Sequence, residues 1–407
     1  MASAPPDRSK RRAGDAKPLH SDPSKRRAGP LGVTSASLVE RTRRSSLSLA
    51  PGCRRYVGGV DVDQVLLASP RGFCAGVEMA IKALAWMVRV FEPPVYCYHE
   101  IVHNQVVVER FRQLGVVFVD DVSEVPPGRP VMLSAHGSAP AVVEASRANG
   151  GAVVNAVCPL VTKVHHEVKL RASKGYSIVY VGHEGHEEAV ATMAVAPDAI
   201  HRVESVEEVM DMPEPEGPVA FLAQTTLAVD EWRNILEAAQ ARWPSLWVPG
   251  RSDLCFATTN RQAALRSIAS RCDAMVVIGS ANSSNTLALV RTAHAAGCER
   301  VLRVNRAGEL PDDLSGTVGV IAGASAPESL VEEVISRLAP ARGAEEVKAL
   351  SEDEYFPLPR ELREVLRNMA GALSAVAFAP PGPIDESGVV PLDGRDIPAA
   401  RVLAALG

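Results

Sequence analysis

Several absences narrow the function of this chain before any motif is read. No apolar run approaches the ~18–20 residues of a membrane-spanning helix. The opening stretch MASAPPDRSKRRAGDAKPLH has no apolar core, so a secretory signal is not expected there. No CxxC pair occurs among the seven cysteines, which argues against a zinc finger or a bacterial ferredoxin. The phosphate loop GxxxxGK(S/T) and the dinucleotide fingerprint GxGxxG are both missing, so a nucleotide cofactor is not indicated. There is no large charge excess either. With 43 Lys and Arg against 48 Asp and Glu the net charge is −5, and the protein as a whole is no polyanion binder. An odd number of cysteines without a signal fits a disulfide scaffold poorly and makes metal or redox chemistry the live question.

What is present is a 407-residue chain, 46% hydrophobic and 22% charged. That is enough for a sizeable core and about two to four domains, at roughly 100–200 residues each. Charge is uneven. Residues 1–57 hold thirteen Lys and Arg against four acids, a net of +9, and repeat SKRRAGD at 9–15 as SKRRAGP at 24–30. Rich in Ser, Pro and Ala, residues 1–59 cannot bury enough apolar area to offset chain entropy and are expected to be a disordered basic extension. A solvated extension or a misassigned start is the plain reading. An arm for nucleic acid or an acidic partner, and an organelle transit peptide, share the composition.

From Val62 to about Ala339 short apolar runs alternate with polar loops and amphipathic stretches. Strands are expected at 94–99, 116–120, 130–136, 152–158, 177–183, 219–225, 274–280 and 318–324, after an opening strand near 62–69. Continuous apolar strands alternating with helices mean parallel sheets covered on both faces. This length exceeds one comfortable core, so several similar α/β lobes are expected. After residue 340 the pattern fails, and 341–407 reads as a tail with one helix.

Ligands of open α/β sheets bind at the carboxyl ends of the strands. Polar and sulfur residues collect at those ends: Cys74, His103, His136, Cys158, His183, His186, Thr225, Thr226, the run Asn282 to Asn285, and Ser325. Three cysteines lie in loops suited to ligation: PRGFCAG (Cys74), NAVCPLVTK (Cys158) and SDLCFATTN (Cys255). One per lobe, they could meet at a common axis and hold a four-iron cluster with one iron open. A zinc site with three cysteines is chemically allowed but leaves the surrounding polar residues without a role, and a lone Cys is commonly a buried small hydrophobe. That last reading is applied to Cys97, Cys272 and Cys298, while Cys53 belongs to the basic extension. His165 and His166 fall inside an expected helix and are weak candidates. Imidazoles, hydroxyls and amides converging on one pocket suit an anionic, phosphorylated ligand.

The stretches SPRGFCAGV, HEIVHNQVVV, LSAHGSAP, CPLVTKVHHEV, GHEGHEE, QTTLAVDE, CFATTNRQ, GSANSSNT and AGASAPE run in this order over roughly 60–340. Together they resemble the 4-hydroxy-3-methylbut-2-enyl diphosphate reductase (IspH/LytB) family. The resemblance implies one [4Fe–4S] cluster on Cys74, Cys158 and Cys255, whose open iron takes the substrate's hydroxyl oxygen. It implies diphosphate binding by His103, His136, His186, Ser283, Ser284, Asn285 and Ser325, with Glu188 as proton donor, assisted by His186, and Thr225 orienting substrate. Many relatives read GHPE where this chain reads GHEE, so Glu187 is the alternative acid. The implied fold is three α/β lobes around a pseudo-threefold axis with the cluster at the centre: 60–158, 159–251 and 252–340, the opening strand 60–75 packing with the third. Ferredoxin or flavodoxin is the implied electron donor, the location cytoplasmic, and the state monomer or homodimer. Two competing classes are an iron–sulfur nucleic-acid sensor with the basic extension as its arm, and an aconitase-like hydro-lyase that needs no reductant.

Overall fold

The computed structural model of the chain describes residues 61–376, 395 and 397–406. The expected basic extension over 1–59, with Cys53, lies outside the described residues. The chain enters with β1 (Asp61–Ser69) and α1 (Ala75–Val90). A four-stranded sheet follows, from β2 (Val95–Tyr98), β3 (Val116–Val119), β4 (Val131–Leu133) and β5 (Val153–Asn155), with α2 (Gln105–Gln113) and α3 (Pro140–Ala148) between them. After α4 (Pro159–Ser173) a three-stranded sheet forms from β6 (Ser177–Val181), β7 (Ile200–Val203) and β8 (Val219–Ala223), with α5 (Glu187–Met193), α6 (Val206–Asp211) and α7 (Val229–Arg242). Next come α8 (Phe256–Ala269), β9 (Ala274–Ile278), α9 (Ser284–Ala295), β10 (Val301–Val304), β11 (Ser315–Ala322), α10 (Glu328–Leu338), β12 (Ala344–Lys348) and α11 (Arg360–Val376).

The strand orders are β3-β2-β4-β5, β7-β6-β8 and β10-β9-β11-β1-β12. Every pairing among these strands is parallel. The opening strand therefore joins the last sheet, between β11 and β12. Its unbroken apolar run has a direct cause. Val65 and Leu67 face Leu330, Val331 and Val334 of α10, while Leu66 and Ala68 face Ala264, Leu265 and Ile268 of α8. Both faces of a parallel sheet are covered, so alternation disappears from the sequence. No described helix is long and apolar enough to cross a membrane.

Three strands escaped the sequence reading: β7, β10 and β12. Each lies at a sheet edge. An edge strand has one unpaired side and tolerates polar residues, as IHRV, VLRV and AEEVK show. The region expected as a tail from 341 departs from that expectation. Its β12 pairs with β1 from Val65↔Ala344 to Ser69↔Lys348. Among the described residues it carries α11 and a further helix, Ala399–Ala404, where one helix was expected. Leu358, Leu362, Leu366, Ala399 and Val402 all join the core around α1.

Candidate active site

Cys74, Cys158 and Cys255 occupy equivalent places: each is the N-cap of a helix, α1, α4 and α8 respectively. Each cysteine N–H donates to a carbonyl just past a strand: Cys74 to Ala324 (3.1 Å), Cys158 to Ala135 (3.0 Å) and Cys255 to Thr225 (3.0 Å). All three line one cavity of ≈ 770 Å³ that opens to solvent. Helix N-termini favour thiolates, but burial outweighs that here. Desolvation pushes all three thiols up, Cys255 to about 12; the Cys74 thiol raises Cys158 and Cys255 further, and Cys255 also raises Cys158. Converging thiols held protonated are a soft donor set that releases its protons when a metal binds.

Gly76, in the first turn of α1, shows how close the sulfurs come. A Cβ at this position would stand 2.9 Å from Cys158 Sγ and 3.9 Å from Cys74 Sγ. The residues present therefore fit a thiolate-bound iron–sulfur group. Gly76→Ala is expected to fold, since only a cysteine side chain must turn aside, but to retain markedly less iron. Iron analysis against the unchanged protein checks this, and full loading would contradict the convergence of the sulfurs over Gly76.

Glu188 is 2% exposed and lines the same cavity. Its carboxylate accepts from Thr225 N–H at 2.7 Å and from Thr225 Oγ1 at 2.9 Å. Burial pushes its pKa up to about 7, Asp253 adds to the rise, and the two Thr225 bonds oppose it. The next residue back behaves differently. Glu187 is not among the lining residues of the cavity; it meets His136 Nδ1 at 2.9 Å and His99 Nδ1 at 3.5 Å.

Holding Glu188 in this state has a stability cost with a definite sign. Below pH 4.5, the ordinary value, folded and unfolded chains both keep the proton. As pH rises from 4.5 to about 7 the unfolded chain releases it first, and stability falls. Glu188→Gln is therefore expected to stabilise the metal-free protein at pH 8 by up to about 3 kcal/mol, and hardly at all near pH 4. Urea unfolding at the two pH values measures this; an equal effect at both would contradict it.

The opposite wall is built for an anion. His103 and His136 stack with centroids 3.8 Å apart, and His186 meets them edge-on. Desolvation lowers all three pKa values, His136 to about 4 and His186 to about 2. His103 Nδ1 lies 3.3 Å from Glu100 Oε2, which also accepts from Asn282. With Nδ1 as donor there, Nε2 is left bare, buried and without a partner. His186 Nδ1 instead accepts from Glu188 N–H at 3.2 Å, which leaves its Nε2 as the donor. Ser283 N-caps α9, with Ser284 and Asn285 in the first turn. Both side-chain polar atoms of Asn285 are buried and unpartnered. A helix N-terminus with unsatisfied donors is an anion site. Ser325 Oγ donates to His103 C=O at 2.9 Å and borders the same space.

The three cysteines, Glu188, Thr225 and the residues singled out from the sequence as diphosphate contacts thus line one cavity, whereas the alternative acid Glu187 and His165 and His166 do not. Sequence reasoning missed Gly76, Thr258, Phe256 and Phe356. Thr258 had a local signal, lying three residues after Cys255, and its N–H donates to Cys255 Sγ at 3.3 Å. Phe356 had none, because it reaches the cavity from the region read as a tail.

The fold and site define a class: a parallel α/β protein whose three thiols, at helix N-termini, share a cavity with a buried carboxyl and an anion-accepting wall. The family profile described as LytB protein matches residues 65–339. The chain belongs to the LytB family. Among similar curated relatives, 4-hydroxy-3-methylbut-2-enyl diphosphate reductase of Nocardia farcinica is 43% identical over 79% of this chain and 99% of its own length. Proteins of the same name from Mycobacterium leprae and Streptomyces coelicolor are 43% and 44% identical, over 77% of this chain and 96% and 94% of their own lengths. A solved structure, the E-1-hydroxy-2-methyl-but-2-enyl-4-diphosphate reductase from Plasmodium falciparum, superposes with a TM-score of 0.73 at 29% identity. It covers 76% of this chain and 99% of that one.

Proposed function

We propose that this chain catalyses the reaction of its family. That reaction is the two-electron reductive dehydroxylation of (E)-4-hydroxy-3-methylbut-2-enyl diphosphate to isopentenyl and dimethylallyl diphosphate, the last step of the non-mevalonate isoprenoid pathway. The observation that carries the reading is a single cavity lined by three thiols, a buried carboxyl whose pKa burial pushes up to about 7, and an unsatisfied anion wall. The chain is an iron–sulfur oxidoreductase by family. Cys74, Cys158 and Cys255 would hold one [4Fe–4S] cluster with an open iron. Bound there, the cluster supplies electrons one at a time and a Lewis-acidic iron.

The chain's own residues do the rest. Ser283, Ser284 and Asn285 at the start of α9, with Ser325, receive the diphosphate through hydroxyl, amide and backbone donors. His186 donates through Nε2, and His103 and His136 take up protons as the anion arrives, because negative charge favours the imidazolium. Glu188 holds a transferable proton on its carboxyl, facing the cavity, and Thr225 fixes both carboxyl oxygens. Phe256 and Phe356 give the cavity an apolar wall.

Three α/β lobes, 60–158, 159–251 and 252–340, would surround a pseudo-threefold axis. The equivalent N-cap positions and backbone anchors of the three cysteines support that arrangement. A ferredoxin or flavodoxin would deliver the electrons to a cytoplasmic monomer or homodimer. The test is anaerobic incubation of the purified chain with the diphosphate substrate, with and without a one-electron reductant. Both five-carbon diphosphates should form only with reductant. Turnover without reductant would instead mark a hydro-lyase.

A further inference from the structure

Arg261 is 0% exposed and the bulkiest of the fully buried side chains. A buried guanidinium is costly unless its donors are met, so its partners define what it holds together. It stands on α8, six residues past Cys255. Its Nε and Nη2 donate to Gly72 C=O at 3.1 and 2.8 Å, and Nη2 also reaches Phe73 C=O at 3.4 Å. Its Nη1 donates to Ala257 C=O at 2.9 Å. Gly72 and Phe73 are the two residues before Cys74, and Ala257 lies two residues after Cys255. One planar fork therefore links the two cysteine loops. Gly72 has φ +71°, a left-handed conformation that turns the chain here at little cost for glycine.

Glu352 supplies the counter-charge, accepting from Arg261 Nη1 at 2.9 and 3.2 Å and from Asn260 Nδ2 at 3.1 Å. It belongs to the segment after β12, beyond residue 339 where the family match ends. The same segment brings Phe356 to within 6.4 Å of Phe256, ring centre to ring centre, at the cavity wall.

We propose that Arg261, held by Glu352, is a positioning residue for the metal centre: its fork sets the separation of the Cys74 and Cys255 loops, and the C-terminal segment locks it. The proposal rests on the reading of the three cysteines as ligands. Lysine keeps the charge but not the fork. The pair also acts electrostatically. A buried positive charge beside the centre favours its reduced form, and the Glu352 carboxylate opposes this.

The test compares Arg261→Lys, Arg261→Met and Glu352→Gln with the unchanged full chain after anaerobic cluster loading. Iron retention against a chelator should weaken about 10–100-fold in both Arg261 variants, the usual result of losing a partner behind the ligands. The midpoint potential should fall in Arg261→Met and rise in Glu352→Gln. Purely structural damage has no reason to move the two potentials in opposite directions. Unchanged iron retention in both Arg261 variants, or potentials shifting the same way, would overturn the proposal. If the Arg261 variants do not fold, Glu352→Gln decides: an upward potential supports the proposal and an unchanged one overturns it. Insensitivity in a chain that does hold its cluster through three cysteines refutes only this proposal. An unchanged chain that holds no such cluster refutes the ligand reading and the proposal together.

Discussion

Exchanging Cys158 for Ser is expected to strip the protein of its iron–sulfur centre and of its turnover, and Cys74→Ser and Cys255→Ser are expected to do the same. The three thiols share one cavity, stand at equivalent helix N-caps, and the Cys74 thiol raises the proton affinity of the other two. A serine hydroxyl is too weak an acid and too hard a donor to replace a thiolate. The other described cysteines provide the control. Cys97 is buried in β2 and Cys298 packs with Cys272 beside α8, all away from the cavity. Cys97→Ser, Cys272→Ala and Cys298→Ala should keep both iron and activity. Iron and sulfide analysis of the six variants reads the outcome, and an intact four-iron centre in Cys158→Ser would sink the assignment.

The second large effect concerns proton delivery. Glu188→Gln should still load the cluster and still bind the diphosphate, while turnover falls by roughly 10²–10⁴, the usual range for a lost general acid. Glutamine keeps the shape and can still accept from Thr225 N–H, but it has no transferable proton. Glu187→Gln should be mild, because Glu187 bonds His136 and His99 and does not line the cavity. With its pKa pushed up to about 7, Glu188 keeps its proton below that pH and loses it above. The unchanged enzyme should therefore slow as pH rises through that value, and this alkaline limb should vanish in Glu188→Gln. Collapse in Glu187→Gln with normal rates in Glu188→Gln would move the role one residue back.

Much of this site was legible in the sequence because strand ends announce themselves. Continuous apolar runs such as VAFLAQT and AMVVIGS stop where a polar residue begins, and in a parallel sheet that point faces the ligand. Thr225, Ser283 and Cys158 were found in this way. The resemblance carried in GHEGHEE narrowed the acid to two neighbours. Which of them faces the cavity depends on the start of α5, where His186 caps the helix and turns Glu188 inward. No sequence pattern fixes that within one residue. β12 escaped for the opposite reason: it is largely exposed, and AEEVK has no apolar run to detect. Missing β12 also hid Glu352 and Phe356, which reach the site only because β12 returns the chain alongside β1. Arg261 could not be read at all, since a lone arginine in a helix gives no sign that it will be fully buried.

If Cys74, Cys158 and Cys255 hold an iron–sulfur cluster with one iron open to the substrate, metal content and the spectrum of the reduced protein show it directly. Protein purified without air should contain about four iron and four sulfide per chain. In the dithionite-reduced state its electron paramagnetic resonance spectrum should change when the diphosphate substrate is added. A chain holding only zinc would mean that the three thiols carry no iron–sulfur cluster, and a reduced cluster whose spectrum is indifferent to the substrate would mean that no iron is open to it.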